Sequence, residues 1–517
     1  MIAAELVRRG ARRHASRTAV LVGEQALTFA DVDGQANRLA RALLQDGSVP
    51  GDPVALLVDN GPHSLPLDFA LLVSGLVRVP LNSRLSMREH TSMLEETGSR
   101  TLVYQGAHVQ TAEQLADAVP GLRLLPLDDD GSSRAPLLHL AAAHPDTDPV
   151  VALHPDDVML ALFTSGTTGT LKAAEHTQAS YAAICTNVLA NLVSPGPEDV
   201  MLHAASLIHA SGTFVLPFWV RGGAAAILPG FTPAGWLEAV ARHGVTVANL
   251  VPTMLQMLLA DPQAASADVS SLRSVVYGAS PMPRPVITRA IGTWGPIFTQ
   301  YYGQTEAPLA VTVLDAASHV GPEADRLLRS CGQPSVDAEV RLVDTDTGQD
   351  VPDGTPGEMW VRAPFTFRGY RNAPELTQRT LKDDGWVATR DVAVRSADGY
   401  LTLVDRVSDM IITGGYNVYP REVEDALLAH PSVAEAAVVS APHETWVEAV
   451  TAFVIAAPGV AVDPEQLQGF VRERLAAYKV PKQIHVVDSI PKSAVGKILR
   501  RALRDPLWAG REREDRA

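Results

Sequence analysis

A short apolar run, Val158-Met-Leu-Ala-Leu-Phe163, feeds directly into Thr164-Ser165-Gly166-Thr167-Thr168-Gly169-Thr170-Leu171-Lys172. The run has the length of a strand. The nine residues after it are almost entirely glycine and hydroxyl residues and close on a lysine, and a helical pattern resumes from about Ala179. The stretch therefore reads as a strand running into a Gly/Thr loop. Glycines let several backbone N–H groups turn toward one point, hydroxyls add donors, and a lysine adds charge. Together they make a nest for phosphate oxygens. The P-loop of common ATPases is excluded, because that pattern needs Gly-Lys followed at once by Ser or Thr, whereas Lys172 is followed by Ala173. Taken alone, such a stretch is also compatible with a Thr-rich surface turn.

The chain around this loop is 517 residues long, which implies two or three domains. Helix and strand signals alternate from the N-terminus. Thr28-Phe-Ala-Asp31 opens a helix through Leu44, Pro53–Val58 reads as a buried strand, Leu65–Ser74 as a helix and Arg78–Leu81 as a strand. The same alternation continues through Val200–His203, Ala224–Leu228, Val245–Leu250 and Ser274–Gly278. It predicts an α/β fold, with sheets covered by helices. From about residue 330, glycines punctuate short runs such as Glu339–Val343 and Gly357–Val361, which predicts a small distorted β-barrel or antiparallel sheet. The last 110 or so residues read as an α+β unit. The expected division is a large domain over 1–405 and a smaller one over 409–517, with the boundary at 406–408.

Composition narrows the function. The formal charge of −15 argues against nucleic acid and anionic membranes as partners. Two cysteines, Cys185 and Cys331, do not make a disulfide framework, and no Cys/His spacing suits zinc. No apolar stretch is long enough to cross a membrane, and the Arg-rich N-terminus lacks an apolar signal core. A cytoplasmic protein with a mature N-terminus is expected.

Four further stretches carry chemistry. Tyr302-Gly303-Gln304-Thr305-Glu306 comes just after the strand-like run Ile297–Gln300. A carboxylate there lies in the crevice where open parallel sheets bind ligands, and Mg²⁺ prefers carboxylate and phosphate oxygens; alone, Glu306 could equally be a solvated surface carboxylate. Asp391 ends Gly385-Trp-Val-Ala-Thr-Arg-Asp391, where it could cap a turn or accept two hydroxyl hydrogen bonds. Asp405-Arg406-Val407-Ser408-Asp409 marks the expected domain boundary. Pro491-Lys492-Ser-Ala-Val-Gly496-Lys497 places a lysine beside glycine near the C-terminus, a string that alone could be a solvated basic face.

In this order and over this span, the five elements resemble the adenylate-forming superfamily, comprising acyl-CoA synthetases, peptide-synthetase adenylation domains and luciferases. The look is nearest to acyl-CoA synthetases. The resemblance implies a phosphate loop formed by Thr164, Ser165, Gly166, Thr167, Thr168, Gly169 and Lys172. It implies an adenine site at Gly278, Ala279, Ser280 and Tyr302, with Gly303, Gln304 and Thr305 beside it. Thr167 and Glu306 would help hold Mg²⁺, and Asp391 and Arg406 would reach the ribose. Lys497 would be the catalytic lysine, with His209 and Thr305 also at the reacting end. Residues 406–408 would be a hinge, and Gly415 and Tyr416 would face the thiol's approach after the small domain turns about Ser408. Three departures stand out: Leu171-Lys172-Ala173 where the family usually has Pro-Lys-Gly, Arg390 where it usually has Gly, and Ser408 where it often has Asp or Lys.

The implied function is an ATP-dependent carboxylic acid–CoA ligase that works through an acyl-adenylate and uses ATP, Mg²⁺ and CoA. Ser206-Leu-Ile-His209-Ala-Ser-Gly212 resembles the acyl-pocket motif of that family and contains no acidic partner for a substrate ammonium. The other implied walls, Asn249–Met254, Gly278–Ser280 and Gly303, are mostly small or apolar, so the expected acid is apolar or aromatic. No carrier-protein domain is expected after residue 517. A separate acyl carrier protein as acceptor, nitrite activation toward an aromatic amine, and a non-catalytic nucleotide-binding protein are the alternatives; a homodimer is the assembly considered.

Overall fold

A computed structural model describes residues 1–165, 171–345, 347–406, 409–413, 416–444, 446–492 and 498–509. The contacts divide the chain into two compact units. One comprises Met1–Val340 with Val361–Ala388, the other Arg341–Trp360 with Thr389–Ala517.

The first unit is built on two large sheets. In one, the strands Phe298–Gln304, Ser274–Tyr277, Val247–Leu250, Val200–His203, Ala224–Ile227 and Thr18–Val22 lie side by side and parallel. Antiparallel strands close both edges, with Ala307–Leu314 and Gln333–Pro334 on one side and Gln25–Thr28 on the other. The second sheet runs Gly369–Tyr370, Leu171–Thr177, Val158–Ser165, Val77–Pro80, Pro53–Leu57, Thr101–Tyr104, Arg123–Pro126. Its last five strands are parallel, and the first two pairings are antiparallel.

Helices cover these sheets for reasons readable in the chain. Phe29–Gln45 starts at a reciprocal cap, in which Thr28 Oγ1 accepts from the Asp31 N–H and the Asp31 carboxylate accepts from the Thr28 N–H. Its buried Phe29, Val32, Ala36, Leu39, Ala40 and Leu43 recur at helical spacing. Phe29 packs at 4.3 Å between ring centres on Trp219, whose Nε1 donates to the Val7 carbonyl at 2.7 Å.

The strand Leu171–Thr177 is not anticipated in the sequence, where the residues between the loop and the helix from about Ala179 read only as polar. The structure explains how polar residues sit in a strand. Ala173, Ala174, His176 and Thr177 are buried, while the two charged residues find ion pairs: Lys172 with Glu96 at 3.2 Å and Glu175 with Arg371 at 2.8 Å. Thr164 and Ser165 thus pair across a hairpin with Lys172 and Leu171.

The second unit carries most of a four-stranded sheet in the order Glu339–Val343, Gly357–Arg362, Val387–Arg395, Leu401–Arg406, where the sequence predicts the small barrel. A second sheet joins Tyr416–Val418, Ile411–Thr413, Val447–Ala456 and Val433–His443, with Gln483–Val486 parallel to Val447–Ala456. The helices Pro420–Leu428 and Pro464–Arg472 pack their apolar faces on it through Val423, Leu427, Leu467 and Val471. Among the described residues, no helix is long and apolar enough to cross a membrane.

Candidate active site

The hairpin strands pair with Ser165 opposite Leu171 and Thr164 opposite Lys172. Gly166, Thr167, Thr168, Gly169 and Thr170, which connect them, lie outside the described residues. Lys172 Nζ stands 3.2 and 3.3 Å from the two carboxylate oxygens of Glu96, at the end of the helix Met87–Thr97.

A second hairpin carries the tyrosine–glutamate motif. Its strand extends to Gln304, four residues beyond the expected end, so Tyr302, Gly303 and Gln304 are strand residues. Gln304 pairs with Ala307, leaving Thr305 and Glu306 as the turn just past the strand's carboxyl end. The register shifts between Tyr302 and Gln304, and Gly303 is needed there: a Cβ would lie 2.2 Å from the Leu309 carbonyl oxygen.

Three contacts tie the first hairpin and the edge segment beside it to the second. His176 Nε2 donates to the Thr305 carbonyl at 2.8 Å. The Tyr370 hydroxyl donates to the Glu306 carboxylate, and Tyr370 itself pairs with Ala174 beside the first hairpin. The Phe367 N–H donates to the Glu306 carbonyl at 2.8 Å. Burial pushes the His176 imidazole down to about 4, so the ring is neutral, and the Thr305 carbonyl, which can only accept, selects the Nε2–H tautomer. Gln304 Nε2 is buried with no hydrogen-bond partner among the described residues. An unpaired buried donor at a strand end is a feature that a bound acceptor would satisfy. His176 and Tyr370 are not identified by the sequence motifs.

Gly278, Ala279 and Ser280 follow the strand Ser274–Tyr277 at the carboxyl edge of the parallel sheet. Ala279 has φ +67°, and a Cβ on Gly278 would approach the Tyr301 carbonyl oxygen to 2.4 Å. Tyr302 is buried. His209 begins the short turn Ala210–Phe214, and its Nε2 lies 3.2 Å from Asn82 Nδ2. Burial first, then the Arg78 charge, lowers its proton affinity.

In the second unit, Asp391 and Arg406 face each other on antiparallel strands, with Arg406 Nε 3.0 Å from Asp391 Oδ1. Arg390 holds φ +60° and donates its N–H to Glu358 at 2.9 Å. Tyr416 is 58% exposed and stacks on Tyr478 with 4.7 Å between ring centres. Arg500 is held by both carboxylate oxygens of Glu424, at 3.1 and 2.6 Å. Val407, Ser408, Gly414, Gly415, Gly496 and Lys497 lie outside the described residues.

The AMP-binding enzyme family matches residues 7–371, and the AMP-binding enzyme C-terminal domain matches 422–497. The chain belongs to the AMP-binding enzyme family. Among relatives of this AMP-binding enzyme, a feruloyl-CoA synthase of an Amycolatopsis species is 39% identical over 96% of the chain and 97% of that protein. A medium/long-chain fatty acid–CoA ligase of Mycobacterium tuberculosis is 36% identical over 96% of the chain and 89% of its own. Among solved structures, the amide bond synthetase McbA from Marinactinospora thermotolerans superposes with a TM-score of 0.88 at 32% identity, covering 97% of this chain and 99% of that one. The superposition agrees with a mixed α/β architecture of a large sheet-and-helix domain and a smaller C-terminal one in this chain.

Proposed function

We propose that this AMP-binding enzyme is an ATP-dependent carboxylic acid–CoA ligase that forms an acyl-adenylate and then a thioester. The observation that carries the reading is the tethering of the 164–172 hairpin to the Thr305–Glu306 turn through His176 and Tyr370. It fastens the strand that follows the Gly/Thr loop to a buried carboxylate just past the carboxyl end of a parallel strand, where nucleotides bind. Resemblance to acid–CoA ligases over nearly the whole chain supports the same chemistry.

The residue roles follow from charge. The acid's carboxylate and the α-phosphate it attacks are both negative, so the reaction needs a positioned cation; Lys497 supplies it. Glu306, buried and accepting from Tyr370, fits Mg²⁺, which is commonly held by one or two carboxylates and the substrate's phosphates. With Thr167 it would hold that ion, which when bound neutralises charge on the phosphates. Gly278–Ser280 and Tyr302 bound the adenine, Asp391 and Arg406 the ribose, and His209 the acyl pocket. Thr305 stands at the reacting end, and Gly415 and Tyr416 line the thiol's path. Residues 406–408, around Ser408, act as the hinge between a 1–405 body and a 409–517 domain. A cytoplasmic setting, where ATP and CoA are abundant, belongs to this reading.

The test is acid-dependent pyrophosphate–ATP exchange together with CoA-dependent AMP release over a broad panel of carboxylic acids. Exchange with neither acid dependence nor AMP release overturns the ligase. The likeness to an amide bond synthetase favours a second reading, in which an amine is the acceptor. Mass spectrometry of products formed with CoA, a carrier protein or an aromatic amine separates the acceptors.

A further inference from the structure

A small cavity lies inside the first unit, enclosed by the helix Ser64–Ser74, the strand Val77–Pro80, the helix Gln178–Asn191 and the Gly212–Leu216 segment. Its volume is about 20 Å³, room for roughly one water-sized group. Met159, Gly212 and Val215 give it apolar walls, but Asp68, Arg78 and Tyr181 also line it. Arg78 Nε stands 2.7 Å from Asp68 Oδ1. The pair is buried and incompletely satisfied. Arg78 Nε is not aligned for a hydrogen bond, and its Nη2 reaches only the Leu207 carbonyl, at 3.5 Å. Asp68 is enclosed by protein yet keeps 25% of its side-chain surface accessible, the face it turns to the cavity it lines. Tyr181 is likewise enclosed and only half-buried by surface.

Native cores rarely leave a guanidinium with so few partners. The location gives this one a use. Leu207, which Arg78 touches, and Gly212, which walls the cavity, flank His209 on the same short segment, and the Arg78 charge is close enough to lower the proton affinity of His209. The cavity is thus directly behind the acyl-pocket motif. We propose that it is the deep end of the acyl pocket, where Arg78, Asp68 and Tyr181 recognise a hydroxyl group at the far end of the acid substrate. This rests on the ligase reading and refines its substrate class from an apolar or aromatic acid to one with a terminal hydroxyl.

The chemistry selects that group. A hydroxyl both donates and accepts, so it can give its proton to Asp68 and accept from Arg78 or Tyr181. A second carboxylate would face Asp68 across a site of no net charge. A methyl or bare ring edge would leave the donors of Arg78 unpaired. A hydroxyl also matches the volume, which a larger polar group exceeds.

The experiment compares kcat/KM in pyrophosphate exchange for two matched pairs: 4-hydroxycinnamate against cinnamate, and 8-hydroxyoctanoate against octanoate. In the wild-type enzyme the hydroxylated member of at least one pair is preferred by about tenfold or more. This is below the full discrimination of a hydrogen-bonding site, because a water can stay behind with the shorter acid. Tyr181→Phe, and separately the double variant Asp68→Leu/Arg78→Met, lower that ratio to within about threefold of unity. Thermal unfolding verifies that each variant is folded. The double variant exchanges a buried ion pair for apolar groups of similar size, which folds tolerate better than loss of one partner. If it fails to fold, Tyr181→Phe decides alone. A wild-type ratio near unity for both pairs, no activation of either pair while other acids react, or a ratio that survives in folded variants overturns the proposal and leaves the ligase standing. Absence of exchange with every acid overturns the ligase itself.

Discussion

His176 and His203 are buried imidazoles that the fold keeps neutral, each pushed down to about 4 by burial. Their folded-state values lie below the unfolded value near 6.5, so the stability they contribute is present above that pH and lost as pH falls toward 4. By pH 4.5 each costs about 2–3 kcal/mol, using 1.36 kcal/mol per pH unit. Asp68 and Asp405 act in the opposite sense: each is raised to about 6 by burial, so their contribution grows as pH falls from 6 to 4. The expected net result of these four groups is a shallow loss between pH 6.5 and 4.5 in urea unfolding, and His203→Gln turns it into a small gain. An unchanged slope in that variant overturns the assignment. Arg390 makes a second residue-scale case. At φ +60° it occupies backbone space that suits glycine, the residue that the family resemblance leads one to expect there. Arg390→Gly relieves about 1–2 kcal/mol of strain and gives back roughly 0.5–1 kcal/mol in unfolded-chain entropy. The net is a small rise in melting temperature, checked by calorimetry; a fall would show that the arginine side chain contributes more than its backbone costs.

At the scale of elements, the site is two hairpins fastened side by side. Tyr370 comes from a two-residue edge strand, and its hydroxyl orients the Glu306 carboxylate. Removing a hydrogen-bond partner behind a metal ligand costs about 10–100-fold in metal affinity or activity. Tyr370→Phe should therefore raise the Mg²⁺ concentration needed for half-maximal pyrophosphate exchange by that factor, and Glu306→Gln should lower the exchange further. A Mg²⁺ dependence unaltered in both variants would remove Glu306 from the metal site. Much of this framework is legible in the chain. Thr28 and Asp31 announce the helix Phe29–Gln45 because their bonds are local, and the apolar runs at Pro53 and Ser274 announce buried strands because burial needs no partner in particular. The strand Leu171–Thr177 is not legible. Lys172 and Glu175 look solvated until Glu96 and Arg371, distant in sequence, are seen beside them. The same holds for Asp68 and Arg78: nothing local in Arg78-Val-Pro-Leu81 shows that its charge is buried against the preceding helix. Motif strings identify the candidate site residues; the side chains that hold them, His176 and Tyr370, emerge only through contacts that the fold creates.

For the molecule as a whole, the decisive question is whether one lysine serves both half-reactions. Lys497 and Gly415 belong to the second unit, whereas the phosphate hairpin and Glu306 belong to the first. The adenylation transition state gathers negative charge where the carboxylate meets the α-phosphate, and a cation aimed at that point stabilises it. Thiol attack on the mixed anhydride places the charge on a different atom, so the same cation is no longer needed there. Loss of a donor aimed at developing charge typically costs about 10²–10³ in rate. Lys497→Ala is therefore expected to slow pyrophosphate exchange by at least that much. Supplied with pre-formed acyl-adenylate and CoA, the same variant should make thioester at close to the wild-type rate. Gly415→Leu should give the converse pattern: exchange preserved, thioester formation impaired by a side chain in the path of the thiol. Rapid-quench measurement of the two half-reactions separates these outcomes. Equal damage to both steps in Lys497→Ala would mean that a single arrangement of the site performs adenylation and thioester formation, and the turn of the small domain about Ser408 would have no part in the cycle.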